Sequence, residues 1–128
     1  MVAHEDTISI KNVLTGQIYS NISSLADKVS CSYSASYIEP RTLNIVAYGK
    51  FCRVSIDATI TNDKTGWHTI ISGLPQVSEN QYYKVLLINT DGAVGIRDGL
   101  FTSTVFNIYL ESWDIGSRII VESMIRIA

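Results

Sequence analysis

Trp67, Tyr82, Tyr83, Tyr109 and Trp113 are the side chains of this sequence best suited to engage a ligand, and each lies at or near a turn. A flat amphipathic ring packs against the apolar face of a sugar, while a neighbouring Asp, Asn or Arg hydrogen-bonds its hydroxyls. Binding residues concentrate on the turns and strand ends of a rigid scaffold. The sequence therefore places a saccharide site where Asp91, Arg97, Asp98 and Trp113 approach one another. Trp113 would stack, and Arg97 and the acids would contact hydroxyls. Asp63, Trp67 and His68 form a second candidate group. For Trp67, packing against the core edge competes with a ligand role. Trp113 is out of phase with Phe106, Ile108 and Leu110, so it points away from the core they face, toward a ligand or another subunit.

Other chemistries find less support. Nucleophilic catalysis needs a base beside a Ser or Cys, and His4 and His68 are the only histidines. Neither sits at ligand spacing from Cys31 or Cys52, so no metal is expected. No glycine-rich loop follows a strand and opens a helix, which argues against a nucleotide cofactor. Asn89-Thr90-Asp91-Gly92 lacks the further acids of a calcium loop and reads as a hairpin turn. Asp57, Glu79, Glu111, Asp114 and Glu122, with Asp63, Asp91 and Asp98, are spread over turns and outer faces. Two of them could meet as a glycosidase pair, but solvated surface is the default for each.

These residues must be positioned by strands. Cys52, Val54, Ile56, Ala58 and Ile60 alternate with Arg53, Ser55, Asp57 and Thr59. Ile119, Val121, Ser123, Ile125 and Ile127 alternate with Ile120, Glu122, Met124 and Arg126. A period of two marks a half-buried strand. Leu43–Tyr48 and Trp67–Ile71 read as strands, and Tyr82–Asn89, apolar on both faces, as a central one. Asp91-Gly92 and Asp98-Gly99 read as two hairpin turns around a short strand, Ala93–Arg97. Phe106–Trp113 follows. About eight strands at this spacing predict an all-β, antiparallel β-sandwich of jelly-roll type. Upstream, Leu14, Ile18, Ile22, Leu25 and Val29 approach a coiled-coil seam, while Ile8 and Ile10 alternate as in a strand. Residues 1–30 are accordingly read as a neck and 31–128 as a head domain.

Composition bounds the function. At 128 residues the chain buries a core without staples, so Cys31 and Cys52 are expected to be thiols that folding does not require. Charged residues make up 17%, the net charge is −2, and the ten Lys and Arg are scattered, which disfavours nucleic acid. No apolar run reaches the roughly 20 residues that cross a bilayer, so membrane insertion is not expected. The N-terminus lacks a signal-peptide pattern, so synthesis in a cytoplasm is expected.

The order of elements also carries a resemblance. Gly49-Lys50-Phe51-Cys52-Arg53-Val54-Ser55-Ile56 leads to Trp67-His68-Thr69-Ile70-Ile71-Ser72-Gly73-Leu74-Pro75. Asp91-Gly92, Ile96-Arg97-Asp98-Gly99-Leu100 and Gly116-Ser117-Arg118-Ile119-Ile120-Val121-Glu122-Ser123 follow. Over Tyr33–Ile127 this resembles the C-terminal head domains of receptor-binding proteins from bacteriophage and prophage tail fibres and baseplates. One departure is visible: the second proline that members often carry after Leu-Pro is absent from Gln76-Val77-Ser78-Glu79-Asn80. The resemblance implies a homotrimeric head, located on the virion, that binds a bacterial surface glycan and other tail proteins without catalysis. A structural trimerisation domain without ligand and a glycan depolymerase are the alternatives.

Overall fold

The computed structural model describes residues 26–128, and they are all-β. Nine strands follow in chain order: β1 (Ala26–Lys28), β2 (Ser32–Tyr33), β3 (Ile38–Tyr48), β4 (Phe51–Ile60), β5 (Gly66–Ser72), β6 (Gln81–Ile88), β7 (Val94–Thr102), β8 (Val105–Leu110) and β9 (Arg118–Arg126). They form one antiparallel sheet in the order β1-β3-β4-β9-β6-β7-β8-β5-β2. β1 and β2 are its two edges, yet only Val29, Ser30 and Cys31 separate them. Four peptide steps reach about 14 Å at most, so the edges lie near each other and the sheet must curl. The hydrogen bonding thus draws one continuous curled sheet where the sequence suggests two stacked ones.

The two alternating segments become β4 and β9, paired from Phe51 opposite Arg126 to Thr59 opposite Arg118. Cys52, Val54, Ile56, Ala58 and Ile60 are buried, as are Ile119, Val121 and Ile125. Across the interior Ile70, Ile71, Phe106, Ile108 and Leu110 complete the core. A bulge between Thr69 and Ile71 turns both Ile70 and Ile71 inward. Cys31 and Cys52 are free thiols, and burial pushes the pKa of each upward, so both are uncharged at neutral pH.

Several expectations change. Ala26–Lys28, at the end of the expected neck, is a strand paired with Val46–Tyr48. The rest of the neck, residues 1–25, lies outside the described residues. Asp91-Gly92 is a turn, closed by Gly92 N donating to the Asn89 carbonyl at 2.9 Å with Gly92 at φ +88°. Asp98-Gly99 is not a turn: β7 runs through it, and Tyr83 sits opposite Gly99. Gly99 is buried, and a Cβ there would lie 2.7 Å from Phe106 Cζ. Its small size serves close packing and not chain reversal. The reversal comes at Ser103-Thr104, where Ser103 adopts φ +51° and Leu74 N and Val77 N dock onto the Thr104 and Ser103 carbonyls. β8 ends at Leu110, and Ser112–Asp114 forms a single 3-10 turn.

Where acid should act on this fold is set by one cross-strand pair. Asp57 on β4 accepts from Arg118 on β9, Nε to Oδ1 at 2.6 Å, with Nη2 engaging Oδ2. That hydrogen bond holds the Asp57 carboxyl below the ordinary aspartate range. A depressed folded-state pKa contributes stability above the unfolded value, and the contribution disappears as pH falls through the folded one. Both side chains are partly exposed, so the contribution is up to about 1 kcal/mol. Asp57→Asn should therefore reduce stability at pH 7 but not at pH 2. Urea titrations at the two pH values check this, and equal losses at both would contradict it.

Candidate functional site

The strand order decides which candidate residues meet. Successive side chains of β7 alternate, so Arg97 points inward and Asp98 outward. Arg97 forms a two-pronged ion pair with Asp114, Nε to Oδ2 at 2.7 Å and Nη2 to Oδ1 at 2.6 Å. Asp114 is 0% exposed, and its Oδ2 also accepts from the Glu111 backbone N–H at 2.8 Å. The hydrogen bonds that Arg97 donates to the Asp114 carboxylate raise the guanidinium's pKa above the ordinary value. Arg97 is therefore committed to anchoring the Ser112–Asp114 turn. That turn, and not a continuation of β8, displays Trp113 at 68% exposure. Asp91 is exposed, and its Oδ1 accepts from Ala93 N at 3.1 Å within its own turn. The cluster of Asp91, Arg97, Asp98 and Trp113 expected from the sequence does not assemble as one site, because Arg97 and Asp98 lie on opposite faces.

The second group divides as well. His68 is buried, stacked on Tyr37 with ring centroids 4.2 Å apart, and its Nε2 donates to the Lys64 carbonyl at 2.7 Å. Asp63 is exposed in the loop between β4 and β5. Trp67 lies on the outer face, half-exposed, with its ring edge-to-face against Tyr109 at 5.8 Å.

Trp67 and Asp98 do come together. With Tyr82, Tyr83 and Lys84 they line an open hollow of about 310 Å³ on the outer face. Lys84 sits directly opposite Asp98 in the β6–β7 register and pairs with it. Tyr82, two residues along β6 on the same face, is 76% exposed. Tyr83 lies in phase with the inward Val85 and Leu87 and packs against the core beneath this face. β6 and β9 pair only from Leu86 opposite Ile120 to Ile88 opposite Arg118, then part. The Tyr83 hydroxyl bridges the gap, donating to the Glu122 carbonyl at 2.9 Å and accepting from Glu122 N at 3.1 Å. The Gln81 amide does the same for Arg126, at 2.8 and 2.9 Å. These side chains replace the missing backbone ladder, so the parted strands β6 and β9 stay hydrogen-bonded to each other.

The site thus offers two aromatic faces from β5 and β6, a cation and a carboxylate. It suits a neutral, hydroxyl-rich ligand with an apolar face. Sequence reasoning missed Lys84. Its signal was the cross-strand position opposite Asp98, which becomes visible only when β7 continues through Asp98-Gly99. Among the described residues no group of His, Cys, Asp and Glu is arranged to hold a metal ion, and no helix is long and apolar enough to cross a membrane. The fold and site define an all-β protein with an aromatic hollow on its outer face. Compared with known families, curated proteins and solved structures, the chain has no match.

Proposed function

We propose that this chain is the receptor-binding head of a phage tail fibre or baseplate, a trimeric, sandwich-like domain that attaches to a saccharide of the bacterial surface. The resemblance in sequence supplies the class. The observation that carries the binding role is the hollow itself, where Trp67 and Tyr82 expose their rings beside the Lys84–Asp98 pair. Exposed aromatic rings beside paired polar groups are more useful to a ligand than to the fold. Among the described residues Asp98 is the one acid lining the hollow, whereas glycoside hydrolysis needs two carboxylates flanking the bond, so adhesion is favoured over depolymerisation.

Screening the full chain on a bacterial glycan array tests the reading. For a bound glycan, Tyr82→Ala and Trp67→Ala should each weaken affinity by about tenfold or more, the loss of roughly 1.4 kcal/mol of stacking. Unfolding midpoints should stay close to the wild type, since both rings are surface groups. Trp113→Ala lies outside the hollow and should bind normally. If Trp113→Ala abolished binding while Tyr82→Ala did not, the site would be at the 3-10 turn. A self-associating chain that bound no glycan would instead favour the structural trimerisation domain, and release of reducing sugar would favour the depolymerase.

A further inference from the structure

We propose that the aromatic hollow continues across the seam between β6 and β9 into a second saccharide subsite, lined by Arg53, Glu122, Ser123 and Met124, so that the ligand is an uncharged oligosaccharide laid across the strands. The inference rests on the preceding reading of the hollow and assigns its ligand a length and a direction. The four residues line a smaller hollow of about 210 Å³ on β4 and β9. Register carries the first hollow into the second. Leu86 on β6 stands opposite Ile120 on β9. Side chains on one face recur at every second residue, so the next outward positions are Lys84 beside Glu122, then Tyr82 beside Met124. All four are exposed. The strands are parted here, and the Tyr83 hydroxyl and Gln81 amide span the gap. On the far side of β9, Arg53 and Ser55 of β4 stand opposite Met124 and Glu122.

The second hollow is arranged to receive hydroxyls. Glu122 Oε1 accepts from Arg53 Nε at 3.0 Å, Arg53 Nη2 at 2.7 Å and Ser55 Oγ at 2.7 Å. Those bonds hold the carboxylate in one orientation, and among the described residues its Oε2 accepts none. A fixed acceptor with open lone pairs takes up a hydroxyl without first losing rotamer freedom. The hydrogen bonds from Ser55 and Arg53 also hold the Glu122 carboxyl below its ordinary range. Met124 is 56% exposed and offers an apolar surface beside it. The cation in each hollow is matched, Lys84 by Asp98 and Arg53 by Glu122. With no surplus positive charge, the two hollows favour a neutral sugar over an acidic one. Their centres lie about two strand spacings apart, roughly 10 Å, so one sugar ring cannot reach both. The same spacing separates the strands that carry Asp98 and Glu122, beyond the roughly 6.5–9.5 Å of an inverting glycosidase, in keeping with adhesion.

Calorimetric titration of the full chain with fragments of one, two, three and four sugar residues, cut from a neutral glycan bound on the array, tests this. Affinity should rise at least about tenfold from the shortest fragment to the longest. Glu122→Ala and Met124→Ala should each remove most of that gain, with unfolding midpoints close to the wild type because both side chains are exposed. A flat length profile, or a full gain retained in both variants, would overturn the second subsite. The aromatic hollow would still stand if Tyr82→Ala weakened every fragment. A Tyr82→Ala protein that bound all fragments like the wild type would overturn the hollow and this extension with it, as would an array without a bound glycan. Binding confined to acidic glycans would overturn the uncharged ligand.

Discussion

Replacing Arg97 by alanine should destabilise the fold by about 3–5 kcal/mol, because it strands a charged carboxylate out of water. Asp114 is fully buried and keeps only the Glu111 N–H once the guanidinium is gone. The loss is a large share of the 5–15 kcal/mol that a domain of this size holds. The neighbouring residue provides the control. Asp98→Ala removes an ion pair whose partners are both more than half exposed, 72% for Lys84 and 55% for Asp98, and should change stability by less than about 0.5 kcal/mol. Urea unfolding of the two variants compares them directly. Equal, small losses would mean that the Arg97–Asp114 pair is dispensable and that another contact holds the 3-10 turn. Combining Arg97→Met with Asp114→Leu should recover only part of the loss, since the Glu111 N–H is then orphaned.

Gly99→Ala is the second large effect. Strand propensity alone favours alanine over glycine, by about 0.5–1 kcal/mol in a strand interior. Packing reverses the sign. The added methyl would lie 2.7 and 2.8 Å from Phe106 Cζ and Cε1 and 3.1 Å from Val85 Cγ2. Phe106 cannot retreat freely, because its ring stacks on Phe101 with centroids 4.3 Å apart and both rings are buried. Overpacking of this kind costs about 1–3 kcal/mol. Thermal and urea unfolding should show that loss, and Phe106→Leu introduced beside Gly99→Ala should restore part of it by opening space. A stabilised Gly99→Ala protein would show that propensity decides here and that the rings move aside. Through Gly99 the core also supports the hollow, for Asp98 precedes it on β7 and Val85 follows Lys84 on β6.

Both effects bear on function through position. Arg97 holds the turn that presents Trp113, and Gly99 keeps β7 flat against the core so that Asp98 faces outward beside Lys84. Variants at either residue are expected to affect ligand binding through stability, whereas Tyr82 and Trp67 should affect it through contact.

What the sequence by itself determined was local. The inward sets of β4 and β9 follow from a period of two, which needs no knowledge of partners. The turns at Asp91-Gly92 and Gly116 follow from residues that accept positive φ. Tertiary structure decided the pairings. β9 inserts between β4 and β6, and β5 lies beyond β8, so Trp67, Tyr82 and Asp98 meet although three separate strands carry them. The same dipeptide type turns the chain at Asp91-Gly92 and runs straight at Asp98-Gly99. An Asp-Gly pair permits a hairpin without imposing one, and the space beneath Phe106 selected the glycine at 99 for its missing side chain. Arg97 and Asp98 were separated by the pleat once β7 continued through them, which placed one in the core and the other in the hollow. Alternation is a property of each strand, whereas strand order, register and the covered face depend on how the whole sheet curls to bury its apolar side.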